Sequence, residues 1–217
     1  MKFQAVIFDL DGTLLNTLAD IADAMNKALE RMGFPDHETS AYKYLTGDGV
    51  HALAERSLPE AARKEATIAA CIQEFRSEYA DRRGKKTRPY PGIPEILSHL
   101  ARRKIRMNIL SNKLDEFTRQ AARDFLSGVD FAFVIGAKPG LTPKPDPSGA
   151  LLIAHHLEIE PGRFLYLGDT GVDMMTAVGA GMFPVGALWG FRDERELREN
   201  GAKATLRSPV ELLSFFD

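Results

Sequence analysis

The feature that most constrains this fold is an apolar run that stops on acids. Residues 5–8 are short, apolar and partly β-branched, and they end abruptly at Asp9, Leu10, Asp11, Gly12 and Thr13. This reads as a buried strand that delivers two carboxylates. In an open α/β sheet, ligands collect beyond the carboxyl ends of the strands, so acids in this position stand where a site is expected. Residues two apart on an extended strand point the same way, and Gly12 lets the chain turn there and separate the two roles.

The rest of the chain alternates in a way that suits such a sheet. Ile93, Ile96, Leu97 and Leu100 form one face of a helix, and 106–110 reads as a strand ending at Ser111 and Asn112. A helix over 116–125, a strand over 131–135 and a helix over 148–156 follow. Then come a strand over 164–167 ending at Gly168 and Asp169, a helix over 173–180 and a strand over 183–188. Strand and helix alternating at this spacing imply a parallel sheet covered on both faces.

Before the second strand, two helical stripes intervene. Leu18, Ile21, Ala22, Met25, Leu29 and Met32 repeat at helical spacing, with Asp20, Asp23, Lys27 and Arg31 between them, until Gly33 and Pro35 stop the pattern. Ile68, Ile72, Phe75 and Tyr79 mark a second, longer helix within 59–83. Two long helices placed there read as an insertion. The basic run 82–88 reads as a solvated connector back to the sheet.

Composition narrows the function classes. At 217 residues the chain accommodates a core with a smaller inserted domain, and 44% hydrophobic residues can fill it. Lys plus Arg is 28 against 30 for Asp plus Glu, a formal net charge of -2, which leaves no footprint for nucleic acid or an anionic membrane. No segment approaches the roughly 18 consecutive apolar residues of a membrane span, and the N-terminus lacks the pattern of a secretory signal. The single cysteine, Cys71, excludes an intrachain disulfide and fits a reducing compartment. The expectation is a cytoplasmic protein, monomer or homodimer, that binds a small molecule.

The string DLDGTL at 9–14 resembles the first motif of the haloacid dehalogenase-like hydrolases, especially the phosphoglycolate-phosphatase-like branch. The resemblance implies an α/β fold with a Rossmann-like core at 1–16 and 87–217, and an all-helical cap domain at 17–86. It also implies an aspartyl-phosphate mechanism, in which Asp9 is the nucleophile and Asp11 protonates the leaving oxygen and later takes a proton from water. Asp at position 11 favours phosphoryl transfer over dehalogenation.

Later motifs extend the match. Ser111 and Asn112 resemble the second motif, which holds phosphoryl oxygens, and Thr13 joins them as a phosphate-binding candidate. Lys144, in Lys144-Pro145-Asp146-Pro147, resembles the third motif, whose ammonium offsets charge shared by nucleophile and phosphate. It is preferred over Lys138, which lacks the second proline and the following helix. Gly168, Asp169, Thr170 and Asp173 resemble the fourth motif. By that likeness Mg²⁺ is held by Asp9 and Asp169 and by the backbone carbonyl of Asp11. Asp173 supports the metal from behind or contacts it through water.

Selectivity is expected in the loop from Thr46 to Arg56. Gly47 and Gly49 allow close approach to a ligand, a helix begins near Val50, and Arg56 is a candidate partner for a substrate carboxylate. Asn16 stands where this branch often has Asp, which bears on hydrogen bonding at the cap hinge. Other patterns fail: Gly12 is misplaced for an EF-hand, the histidines lack zinc spacing, and no Walker-type loop occurs. The function expected is Mg²⁺-dependent hydrolysis of a small phosphomonoester, best 2-phosphoglycolate. The alternatives are a β-phosphoglucomutase-like phosphomutase, or a pyrophosphatase or nucleotidase of the same superfamily.

Overall fold

The computed structural model describes residues 3–216. Its centre is a six-stranded sheet in the order β5-β4-β1-β6-β7-β8. The strands are β1 (Ala5–Phe8), β4 (Arg106–Leu114), β5 (Phe131–Ala137), β6 (Phe164–Gly168), β7 (Phe183–Ala187) and β8 (Ala204–Leu206). Every neighbouring pair is parallel. β1 is therefore the strand at which the connections change direction, and the crevice beyond its carboxyl end is where an α/β sheet binds its ligand.

Burial on both faces follows from the alternation along β1. Val6 and Phe8 pack with Ile93, Ile96, Leu97 and Leu100 of α5 (Ile93–Arg102) on one side. Ala5 and Ile7 pack with Ala150, Ile153 and Ala154 of α7 (Ser148–Leu157) and with Ala177 of α8 (Gly171–Gly179) on the other. A strand wholly buried in this way needs no polar residue until it leaves the core, and the polar series starts at Asp9.

The helical insertion forms its own layer, with α1 (Leu18–Arg31), α2 (Tyr42–Leu45), α3 (Val50–Ser57) and α4 (Glu65–Arg82). Ile21, Met25 and Leu29 of α1 meet Ile68, Cys71, Phe75 and Tyr79 of α4 in a core separate from the sheet's two. The longer helix expected within 59–83 runs from Glu65 to Arg82, preceded by a short 3-10 turn over Glu60–Ala62 that follows Pro59. The two chain crossings between layers pair as a small antiparallel ribbon, β2 (Leu15–Asn16) with β3 (Arg88–Pro89). Asn16 is exposed in that ribbon.

Hydrogen bonding at the crossing comes from Asp20 instead. Its buried carboxylate accepts from the Gly84, Lys86 and Thr87 amides and from the Thr87 hydroxyl, at 2.6–3.0 Å for the shortest contact to each. The reading of Asp20 as one of the polar residues on a helix face is corrected by this contact, which the helical period alone does not disclose. The remaining helices, α6 (Asp115–Phe125) and α9 (Glu194–Glu199), flank the sheet.

Candidate active site

The strand ends bring their polar residues to one place. Asp9 follows β1, Lys144 lies on the loop before α7, and Asp169 and Asp173 sit at the turn from β6 into α8. Lys144 Nζ donates to Asp9 Oδ1 at 2.7 Å, to Asp173 Oδ1 at 2.6 Å and to the Leu110 carbonyl at 3.1 Å. Carboxylate oxygens of Asp9, Asp169 and Asp173 all lie within 4.8 Å of one another, and all three residues are buried. Lys138, the rival lysine, lies outside the residues that line the cavity.

Three buried carboxylates crowd one ammonium, so their mutual repulsion is not fully offset by charge pairing. Burial, with Asp173 and Asp11 alongside, pushes Asp9 up to about 7 against the pull of Lys144. Burial, then Asp9 and Asp173, also holds Asp169 well above the usual carboxylate range. Burial works against the Lys144 ammonium, but Asp173 and Asp9 outweigh it and keep Lys144 well above the ordinary lysine value. Hard oxygen donors carrying uncompensated charge suit a divalent cation such as Mg²⁺.

The surroundings fix these side chains. Asp169 accepts from the Thr13 hydroxyl at 2.9 Å and from the Phe191 amide at 2.8 Å. Gly12, at φ +89°, and Gly190 press against it so closely that a Cβ at either position would collide with the Asp169 side chain. Asp173 is held on its other oxygen by the Thr170 amide and hydroxyl, in a capping box at the start of α8. With both oxygens engaged, Asp173 orients Lys144 and caps the helix at once.

Two expected substrate contacts are placed differently. Thr13 spends its hydroxyl on Asp169 and is not a cavity-lining residue, so it braces a carboxylate from behind. Arg56 is also absent from the cavity wall, because its guanidinium reaches back to Asp48 at 2.5 Å. Gly47 does face the cavity, and its carbonyl accepts from the Asn112 side chain at 3.2 Å. Asn112 also exchanges hydrogen bonds with the Lys144 backbone, at 2.8 and 2.9 Å, so its amide ties the loop after β5 to the 46–49 loop.

The cavity so formed measures about 70 Å³. At about 10–15 Å³ for one water centre, that is room for a handful of waters or one small ligand. Asp9, Asp11, Ser111, Asn112 and Lys144 form its floor, while Ile21, Val50, Leu53, Phe75 and Tyr79 close it from the helical side. Val50 and Leu53 lie in the 46–56 segment expected to face a ligand, but Ile21, Phe75 and Tyr79 escaped the sequence reading, because the stripes of α1 and α4 look the same whether they cover a core or a ligand. Lys113 escaped it too: its ammonium lies 2.9 Å and 3.1 Å from the two Asp11 oxygens. The signal was present in the string Ser111-Asn112-Lys113 at a strand end. Arg192 also went unnoticed, donating from the core to the Lys43 and Thr46 carbonyls of the opposite layer.

Known proteins resemble this chain in sequence and fold. The sequence pattern of the haloacid dehalogenase-like hydrolases matches residues 6–187. A phosphoglycolate phosphatase from Aquifex aeolicus is 33% identical over 219 residues, covering 99% of this chain and 97% of its own. Phosphoglycolate phosphatase 1 from Pseudomonas aeruginosa is 28% identical over 99% of this chain and 80% of its own. A crystal structure from Lactobacillus delbrueckii subsp. bulgaricus, provisionally named a phosphoglycolate phosphatase, superposes with a TM-score of 0.91 at 29% identity. That alignment covers 98% of this chain and 97% of the other. With the motifs converging on one crevice and the family pattern spanning most of the sequence, the chain belongs to the haloacid dehalogenase-like hydrolases, as an enzyme of the phosphatase type.

Proposed function

We propose that the protein is a Mg²⁺-dependent phosphomonoesterase for small metabolites, with 2-phosphoglycolate its best substrate, and that residues 17–86 act as its cap. The observation that carries this reading is the buried cluster of Asp9, Lys144, Asp169 and Asp173, of which Asp9, Lys144 and Asp173 line a cavity of about 70 Å³. The names of its relatives support the choice of phosphoglycolate.

In the first half-reaction an Asp9 carboxylate oxygen attacks phosphorus. The new P–O bond forms as the bond to the leaving oxygen breaks, and Asp11 gives its proton to that oxygen. In the second, a water oxygen attacks phosphorus while Asp11 takes its proton. The Asp9–phosphorus bond breaks and inorganic phosphate leaves. Lys144 offsets charge shared by Asp9 and the phosphoryl oxygens, and Asp173 keeps it aimed. Ser111 and the backbone around Asn112 hold the phosphoryl group. Mg²⁺, when bound by Asp9, Asp169 and the Asp11 carbonyl, adds positive charge against the phosphoryl oxygens. The helical layer keeps water from the leaving-group side.

Phosphate release, measured after exhaustive chelation and again with added Mg²⁺, tests the reading on 2-phosphoglycolate, a nucleoside monophosphate, pyrophosphate and β-glucose 1-phosphate. The expected result is Mg²⁺-dependent release with the highest kcat/KM on 2-phosphoglycolate. Ca²⁺ should inhibit, since its larger coordination number lets Asp9 bind through both oxygens. Full activity after chelation overturns the metal assignment. Equal rates on all esters overturn the substrate, and isomerisation of the sugar phosphate without free phosphate makes the enzyme a mutase.

A further inference from the structure

Among the described residues that line the cavity, Lys113 and Lys144 are the cations. Lys144 is occupied by Asp9, Asp173 and the Leu110 carbonyl. Lys113 is placed otherwise. Leu110 pairs with Ile135 and Leu114 with Ala137, so three residues of β4 stand opposite one of β5. Ser111, Asn112 and Lys113 bulge from the ladder, and such bulges re-aim side chains toward a site. The Lys113 side chain is 8% exposed, and its ammonium lies between the Asp11 carboxylate and the face of the Tyr79 ring, 4.5 Å from the ring centre.

That position is on the leaving-group side, because Asp11 is the group that hands a proton to the leaving oxygen. Its two hydrogen bonds go to the Asp11 carboxylate while Tyr79 lies against its other side, and an ammonium with three N–H donors can exchange one of these partners for a ligand oxygen. The side chains nearest it in the lining, Ile21, Leu53 and Phe75 of the helical layer and Phe117 of α6, are apolar and cannot receive an anion. Arg56, the cationic side chain of the 46–56 loop, is held by Asp48 outside the cavity. An anionic leaving group entering this apolar-walled space beside Asp11 needs a positive partner, and Lys113 lines the same space.

We infer that Lys113 is a specificity-determining residue, which receives a carboxylate carried one or two carbons from the ester oxygen. The substrate class is then short phosphorylated hydroxy acids, in preference to neutral alkyl phosphates of the same size. A lysine suits the role, since a compact charge on a flexible stem can pivot from Asp11 to the ligand, with Tyr79 following the cation. The inference rests on the phosphatase reading above.

The test compares kcat/KM for 2-phosphoglycolate with kcat/KM for ethyl phosphate, which lacks the carboxylate, in wild type, Lys113→Met and Lys113→Gln. Inhibition by glycolate is measured alongside. A charge-assisted contact predicts that both variants lower the phosphoglycolate-to-ethyl-phosphate ratio by about 10- to 100-fold, and raise the glycolate inhibition constant by at least about tenfold. If both substrates fall together and the glycolate constant is unchanged, Lys113 only positions Asp11 and the inference is overturned. It is overturned too, with the phosphatase reading intact, if wild type hydrolyses both esters equally well. Failure of wild type to hydrolyse either ester with Mg²⁺ removes the reading and the inference together. Calorimetric titration with glycolate needs no turnover and should show the same weakening, so a variant that folds but is catalytically dead still decides between the two roles.

Discussion

Replacing Asp20 by alanine should be among the most damaging single changes outside the catalytic cluster. Asp20 ties α1 to the returning strand through the Gly84, Lys86 and Thr87 amides and the Thr87 hydroxyl. Gly84 and Lys86 lie near the surface and can bond water once the carboxylate is gone. Thr87 is 2% exposed, so its amide and hydroxyl are left dry. Two dry donors at about 1–3 kcal/mol each, with small terms for the hydrated pair, give a loss of about 3–5 kcal/mol. For a chain of this size that lowers the melting temperature by about 6–20 °C. Asp20→Asn, which keeps one acceptor but turns amide protons toward donors, should fall between. Asp23→Ala is the control: Asp23 is on the same helix, and its ion pair with Lys86 is largely solvated, so its loss should cost under about 0.5 kcal/mol. Urea titration followed by circular dichroism gives the free energies, and hydrogen exchange at residues 84–87 locates the damage. If Asp20→Ala loses less than about 1 kcal/mol while those amides stay protected, the crossing is held by something else.

Three further outcomes follow from the site. Asp9→Asn should reduce phosphate release below about a thousandth of wild type while leaving circular dichroism unchanged, since nucleophile and metal charge vanish with little change of volume; higher activity in a folded variant removes Asp9 from that role. Asp9 titrates near 3.8 when unfolded and about 7 in the fold, so the folded state holds its proton more tightly. The resulting stability is fully present below pH 3.8 and is lost as pH rises through 7, so metal-free protein should weaken across that window and Mg²⁺ should raise the melting temperature more at pH 7.5 than at pH 5. The same comparison in Asp9→Asn should show a smaller pH dependence, and an unchanged one refutes the assignment. Gly190→Ala should weaken Mg²⁺ binding by at least about tenfold in calorimetry, because its Cβ displaces Asp169; unaltered affinity would place the metal away from Asp169.

Much of this protein is legible along the chain because its chemistry is written at element ends. An apolar strand that halts on Asp9, and another that halts on Gly168 and Asp169, announce the sheet and its crevice through local composition alone. The stripes of α1 and α4 likewise identify helices from periodicity. Short pieces were not legible: β2, β3 and β8 span two or three residues each, too few to show a period. β4 was read too short, since its ladder resumes at Leu114 only after the bulge at Ser111–Lys113, which depends on β5.

Partner choice is what only the tertiary structure decided. Lys144 meets Asp9 across 135 positions of sequence, and Thr13 meets Asp169 across 156. No local pattern says whether Thr13 turns toward a ligand or a carboxylate, whether Arg56 enters the cavity or pairs with Asp48, or whether Asp20 faces water or three amides. Thr13 and Asp20 settle on the oppositely polar groups buried beside them, whereas Arg56 takes the half-exposed Asp48 of its own segment. Those buried neighbours are set by how β1, β4 and β6 align and how the helical layer seats on their ends. The sequence alone determines which residues can do chemistry; packing determines which of them face the cavity.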